Sequence, residues 1–265
     1  MPGSSTHFNL PWNQHERYRI TLYAKKDLPA ALLDALQAAG MQASGDKAAF
    51  IDAPRDWKSV WDKLYALLVS HNALEAVDAS VTPEGMAPEG GRPASAIQQV
   101  AESLWLGEAL MEERIMCYLQ PVVSTKDKIF GYESFARVKA TDGSIIAGDK
   151  IVAASKALGI QHVIDRHLQV QAIRTFISSE FNGFLFVNFF PGFIQRPAVY
   201  LEGLSDTVKS FGVVAKNIVL DFTRSDKPRD LTHLKSVCEY GRSRGYSIAL
   251  DDIDSVESAK KLLPE

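Results

Sequence analysis

Several familiar chemistries are excluded by what this sequence lacks. With only Cys117 and Cys238 in 265 residues, there is neither a disulfide framework nor a Cys-x-x-Cys metal or redox motif. One cysteine falls in an expected strand and the other in an expected amphipathic helix, so both read as reduced core thiols of a cytoplasmic protein. No apolar run approaches the roughly 20 residues that span a bilayer, and the N-terminus has no charged-then-apolar signal layout. No membrane association is expected. Charge of one sign is also scarce: 29 Lys and Arg against 32 Asp and Glu give a net charge of −3 and a pI near 6.1. Nucleic acid is therefore not an expected partner. His162 and His167 are five residues apart and share no helical face, so they are no metal pair. A phosphate-cradling glycine loop and a Gly-x-Ser-x-Gly elbow are also missing. What is present, 46% hydrophobic and 23% charged residues, is ordinary for a globular protein. The length gives room for one large domain or two smaller ones.

Periodicity divides the chain. Residues 1–17 are polar, lack a period and read as a mobile lead-in. Residues 18–81 then predict a small α+β regulatory module. It has a strand over 18–23, a helix over 28–39 with Asp27 as N-cap and Gly40 as stop, and a strand over 48–51. A helix over 57–69 and a last strand over 74–81 complete it. Trp57 and Trp61 share one face of the second helix and suit either a core or an exposed partner stripe. Residues 82–95, with Pro83, Pro88, Pro93, Gly85, Gly90 and Gly91, read as a linker. A connecting helix follows over 96–114.

From residue 115 to 265 strands and helices alternate. Strands are expected over 115–123, 129–138, 184–189, 217–222 and 247–252. Helices are expected over 149–158, 160–179, 199–211, 229–244 and 255–263. The pattern predicts an α/β fold with a mainly parallel sheet.

One segment carries the chemistry. In Gly131-Tyr132-Glu133-Ser134-Phe135-Ala136-Arg137, a carboxylate and a guanidinium stand four apart on a strand and so share a face. Together they could address one ligand, the acid through a cation and the base through a phosphate. An acid and a base on a strand are more commonly a solvated pair. Three later strands, however, end in polar residues after an apolar one: Val187-Asn188, Leu220-Asp221 and Leu250-Asp251-Asp252.

These motifs, in this order, resemble the EAL domain family, which hydrolyses or binds cyclic di-GMP. Tyr118-Leu119-Gln120-Pro121-Val122-Val123 is similar to the family's Tyr-Gln-Pro-Ile-Val, shifted by one residue. Gly131 to Arg137 matches Gly-Tyr-Glu-Ala-Leu-x-Arg, and Val187-Asn188-Phe189-Phe190-Pro191 matches Val-Asn-Leu-Ser-Pro. Leu220 to Arg224 matches Leu-Glu-Ile-Thr-Glu, and Ile248 to Val256 matches Ile-Ala-Leu-Asp-Asp-Phe-Gly-Thr-Gly.

The resemblance implies a partial (β/α)8 barrel with its site at the C-terminal ends of the strands. It implies metal ligation by Glu133, Asn188, Asp221 and Asp251, with Asp252 serving a second metal. Oxygen donors of this kind suit Mg²⁺ or Mn²⁺, if any cation is bound. Gln120, Glu133 and Arg137 are the implied ligand-binding residues.

Departures from the pattern argue against hydrolysis. Asp221 is one methylene shorter than the family's glutamate, Arg224 replaces an acid, and Asp254-Ser255-Val256 lacks both loop glycines. The family's catalytic lysine and last metal-binding glutamate lie beyond Glu265, which suggests a truncated chain or a barrel wall supplied by a partner. The expectation is a non-hydrolytic regulator or receptor of cyclic di-GMP, with a protein partner or homodimer. Alternatives are an active phosphodiesterase whose remaining residues follow Glu265, and an interaction scaffold without nucleotide.

Overall fold

The structure, a computed structural model, describes residues 15–45, 47–87, 90–189, 194, 196–222 and 231–251. The chain divides into two compact units, Met1–Met111 with Ala153–Gly159, and Glu112–Val152 with Ile160–Glu265. The expected lead-in over residues 1–14 and the helix expected over 255–263 lie outside the described residues.

The first unit opens with β1 (Arg17–Ala24), whose Tyr18, Ile20 and Leu22 alternate into the core. α1 (Ala30–Ala38) starts at Pro29 rather than at Asp27: Leu32 and Leu33 N–H donate to the Pro29 carbonyl. It stops at Gly40, where φ is +93° and the Gly40 and Met41 N–H groups fold back to Gln37 and Leu36. Next come β2 (Gln42–Ala43), β3 (Ala48–Pro54), α2 (Trp57–Ser70), β4 (Val77–Pro83), β5 (Arg92–Pro93) and α3 (Ala94–Met111).

The sheet order is β2-β3-β1-β4-β5, with every neighbouring pair antiparallel. A β-α-β-β-α-β succession in that order is the ferredoxin-like arrangement. At two residues, β2 is too short to leave a period in the sequence, so pattern reading passes over it.

The Trp57 and Trp61 alternatives resolve to the core, and two further expectations change. Trp57 and Trp61 are both 0% exposed, and Trp61 Nε1 donates to Gln98 Oε1 of α3 at 2.8 Å. They are core residues and not a partner stripe. The Pro/Gly-rich stretch is not all linker, because Arg92–Pro93 pairs with Asp78–Ala79 of β4. Nor is α3 a free connector. It buries Ile97, Val100, Leu106 and Leu110 and clusters with the first unit, and a turn with Glu113 at φ +54° ends it.

The second unit contains β6 (Ile115–Val123), β7 (Ile129–Lys139), β8 (Ile145–Ala147), the part of α4 (Gly148–Leu158) up to Val152, and α5 (Gln161–Ser178). β9 (Phe184–Phe189), α6 (Pro197–Ser210), β10 (Ile218–Phe222), α7 (Leu231–Ser243) and β11 (Ser247–Leu250) follow. The strand order is β11-β10-β9-β7-β6, with β8 on β7. β7, β9, β10 and β11 run parallel, as the wall of a (β/α)8-type barrel. β6 and β7 depart from strand–helix alternation, because the five residues between them allow only an antiparallel hairpin, closed by Ser124 N–H on the Lys128 carbonyl.

Val187, Phe189, Leu220 and Phe222 pack with Ile173, Leu201, Leu204 and Val237 of the helices. Their neighbours Asn188 and Asp221 therefore point to the opposite face of the sheet. The same alternation turns Tyr132 into that core and Glu133 away from it.

On α5, His167 is half-buried and its ring meets Gln171 Nε2 at 3.3 Å. Burial, reinforced by Arg174 and opposed by Glu113, holds its pKa below the ordinary value of 6.5. Folding thus disfavours the charged form. The stabilisation is present in full above about pH 6.5 and is lost as pH falls through the unfolded pKa toward the lower folded one. Urea midpoints measured from pH 7.5 to 5 should fall more steeply for the native protein than for His167→Gln. Parallel curves would contradict the burial argument.

Candidate functional site

The strand register assembles the polar residues. Asn188 of β9 stands beside Asp221 of β10, and Phe222 beside Leu250 of β11. One residue further on, Asp251 N–H donates to the Phe222 carbonyl at 3.0 Å, which fixes Asp251 just past its strand. Glu133 corrects a simple picture of strand ends, since it lies in the middle of the eleven-residue β7. The ladder between β7 and β9 nevertheless stops at Glu133 and Phe186, after which β7 turns to pair with β8. Glu133 is thus the last residue of the shared ladder.

Asn188 bridges the point of divergence. Its Nδ2 donates to the Ser134 carbonyl at 3.0 Å and to Glu133 Oε1 at 3.3 Å. A carbonyl only accepts, so the amide nitrogen must face Ser134, and Oδ1 is left as the atom able to meet a cation.

Glu133, Asp221 and Asp251 then converge, and their carboxylate oxygens lie within 4.8 Å of one another. Asp221 is buried, Glu133 partly buried and Asp251 exposed. Though a methylene shorter than glutamate, Asp221 reaches the cluster. Three carboxylates at this range repel unless a cation or protons intervene. The set offers hard oxygen donors and fits a divalent ion of the Mg²⁺ or Mn²⁺ class. Asp252 and Arg224 lie outside the described residues, as does the segment 254–256.

Arg137 shares the face of Glu133. Its Nη1 donates to the Ala136 carbonyl at 2.7 Å, and its guanidinium stands 5.7 Å from the Tyr118 ring and 5.6 Å from the Phe135 ring. These contacts hold the group at the edge of a cavity of about 410 Å³ that Glu133, Asn188 and Asp251 also line. Gln120 sits opposite Glu133 in the β6–β7 ladder, but it is exposed and outside the cavity lining.

Two lining residues escaped sequence reading, Asp165 and Gln169 of α5, 4% and 1% exposed. The signal was present: two polar residues an α-turn apart occupy the stripe otherwise filled by Ile164, Ala172 and Ile173. Cys117 lines the cavity as well. Burial pushes its thiol pKa up to about 12, so it is neutral and unreactive near pH 7. Both cysteines are free, and among the described residues no helix is long and apolar enough to cross a membrane.

The EAL domain model matches residues 104–263. Among solved structures, the PaMucR phosphodiesterase in complex with c-di-GMP is 19% identical, with a TM-score of 0.52, covering 61% of this chain and 69% of that one. The FimX EAL domain from Pseudomonas aeruginosa bound to c-di-GMP is 21% identical, also at 0.52, covering 63% and 66%. This chain thus spans about two thirds of the length of either. The Vibrio cholerae LapD S helix-GGDEF-EAL protein bound to c-di-GMP is 14% identical at 0.51, covering 94% of this chain and 74% of that one. At these identities the likeness concerns the fold. No curated protein matches the chain.

Proposed function

This chain belongs to the EAL domain family, and from that premise we propose that it binds cyclic di-GMP as a regulator or receptor and does not hydrolyse it. One observation carries the reading. Three carboxylates lie within 4.8 Å of one another, and two of them, Glu133 and Asp251, border the same cavity as the Arg137 guanidinium. A phosphodiester needs just such a pair of partners, a cation to neutralise one oxygen and a guanidinium to hold another. Glu133, Asp221 and Asp251, with Asn188 Oδ1, would hold the cation, Mg²⁺ or Mn²⁺. When bound, it would supply electrostatic stabilisation of the phosphate. Asp252 is assigned to a second cation, and Gln120 to the rim of the ligand site, by their motifs alone.

The non-hydrolytic part rests on Arg224 in place of an acid and on the absence of both loop glycines at Asp254-Ser255-Val256. The convergence of the three carboxylates also supports a second reading, metal-dependent hydrolysis. The first unit is proposed as the regulatory module, contacting a protein partner or a second copy in the cytoplasm.

Calorimetry with cyclic di-GMP in Mn²⁺ tests the site. A charge-assisted contact from Arg137 is worth about 1.5–3 kcal/mol, so Arg137→Ala should bind about 10- to 150-fold more weakly. Chromatography of the same mixtures should show no linear dinucleotide. Turnover present in the native chain and lost in Glu133→Ala would establish the hydrolase reading instead. Equal heats from native protein and Arg137→Ala, or none from either, would leave an interaction scaffold.

A further inference from the structure

The inner wall of the cavity holds a polar group that the reading above leaves unused. Gln169 is 1% exposed and lines the cavity. Its Nε2 donates to Asp165 Oδ2 at 3.1 Å and to the Tyr200 hydroxyl at 2.6 Å, so both amide protons are engaged. Because a carboxylate accepts and does not donate, Asp165 fixes which way the amide faces. That orientation leaves Oε1 buried, and it meets no donor among the described residues. A buried acceptor without a donor is costly, and native structures rarely leave one so. Gln169 lines the cavity but its Oε1 is closed to water, so a donor held in the cavity reaches it through a small shift of this wall. The surrounding wall supplies none from Cys117, whose thiol already donates to the Leu168 carbonyl at 3.7 Å, nor from Asp165, an acceptor.

We propose that Gln169 Oε1 is a specificity-determining acceptor of this site. It takes a hydrogen bond from the exocyclic amine of a bound purine, so the cavity selects a base that carries this donor over one that lacks it. The inference rests on the nucleotide-binding reading given above. Within that ligand, guanine presents an exocyclic amine and hypoxanthine, otherwise the same ring system, does not. A site built around an acceptor discriminates strongly here, because the wrong base leaves the acceptor unmet.

The test is calorimetry of cyclic di-GMP and cyclic di-IMP against the full chain and Gln169→Leu, with Mn²⁺ binding measured separately on both proteins. The native chain should bind cyclic di-GMP roughly 10- to 100-fold more tightly than cyclic di-IMP. Gln169→Leu should lose that preference, binding the two alike, while its Mn²⁺ affinity stays unchanged. Equal affinity of the native chain for the two nucleotides overturns the inference without any variant. So does a preference that survives in Gln169→Leu, or an equal weakening of both ligands, which would mark a packing role. Absence of binding by the native chain to either nucleotide removes the nucleotide reading itself, and this inference with it.

Discussion

Gly131→Ala is expected to destabilise the second unit by about 3 kcal/mol, the upper end for overpacking a close-packed site. Gly131 pairs with Phe184 where β7 meets β9. A Cβ at Gly131 would fall on the Phe184 carbonyl oxygen, with the carbonyl carbon at 3.0 Å. The obstacle is backbone, which cannot rotate aside as a side chain can. Next to it, a Cβ at Gly183, where φ is +114°, would meet the Phe130 carbonyl at 2.5 Å. The two strands therefore approach over two glycines, and the Phe130 and Phe184 rings stack above them at 4.7 Å. Pushing β7 from β9 moves Glu133 away from Asn188, two residues further along. A fall in melting temperature of about 6–12 °C follows for a unit of this size, together with weaker cation binding. A variant that melts and binds Mn²⁺ like the native protein would show that the ladder tolerates the extra carbon.

Asp221→Asn should have opposite effects in the absence and presence of a cation. The buried Asp221 lies within 4.8 Å of Glu133 and Asp251. Without a cation, removing its charge relieves repulsion, and after screening at the exposed Asp251 the gain is on the order of 1 kcal/mol. With a cation the loss dominates. Native protein at a Mn²⁺ concentration 100 times its dissociation constant gains about 2.7 kcal/mol of stability, whereas the variant, short of one of three carboxylates, gains almost none. Thermal melts in EDTA and in Mn²⁺ read both effects at once. A variant less stable in EDTA that still responds fully to Mn²⁺ would show that Asp221 is a structural group and no ligand.

The second prediction depends on closure that the sequence could suggest but not establish. Val187-Asn188, Leu220-Asp221 and Leu250-Asp251 each show an apolar residue followed by a polar one at the end of a run, and period-two alternation places those polar side chains away from the helices. That is a local property, fixed by backbone geometry within each strand. It also placed the Glu133–Arg137 pair on one face. Which strands become neighbours, and in what register, depends on contacts between residues far apart in the chain. A one-residue slip would turn every polar group to the other side.

The N-terminal unit shows the same division. The helix over α2 was legible from the spacing of Trp57, Trp61, Leu64 and Leu68, whereas their burial depended on α3, whose Gln98 accepts from Trp61. β2 and β5, each two residues long, are strands only because a longer neighbour pairs with them.

The sequence by itself thus determined the α/β class, the order of most elements and the residues that offer carboxylate and guanidinium groups, because propensity, periodicity and side-chain chemistry act over a few neighbouring positions. Only the tertiary structure decided that Gln120 stays outside the cavity and that Asp165 and Gln169 line it. It likewise decided that three carboxylates from three separate strands share one space, because strand pairing and helix packing bring together residues up to 118 positions apart.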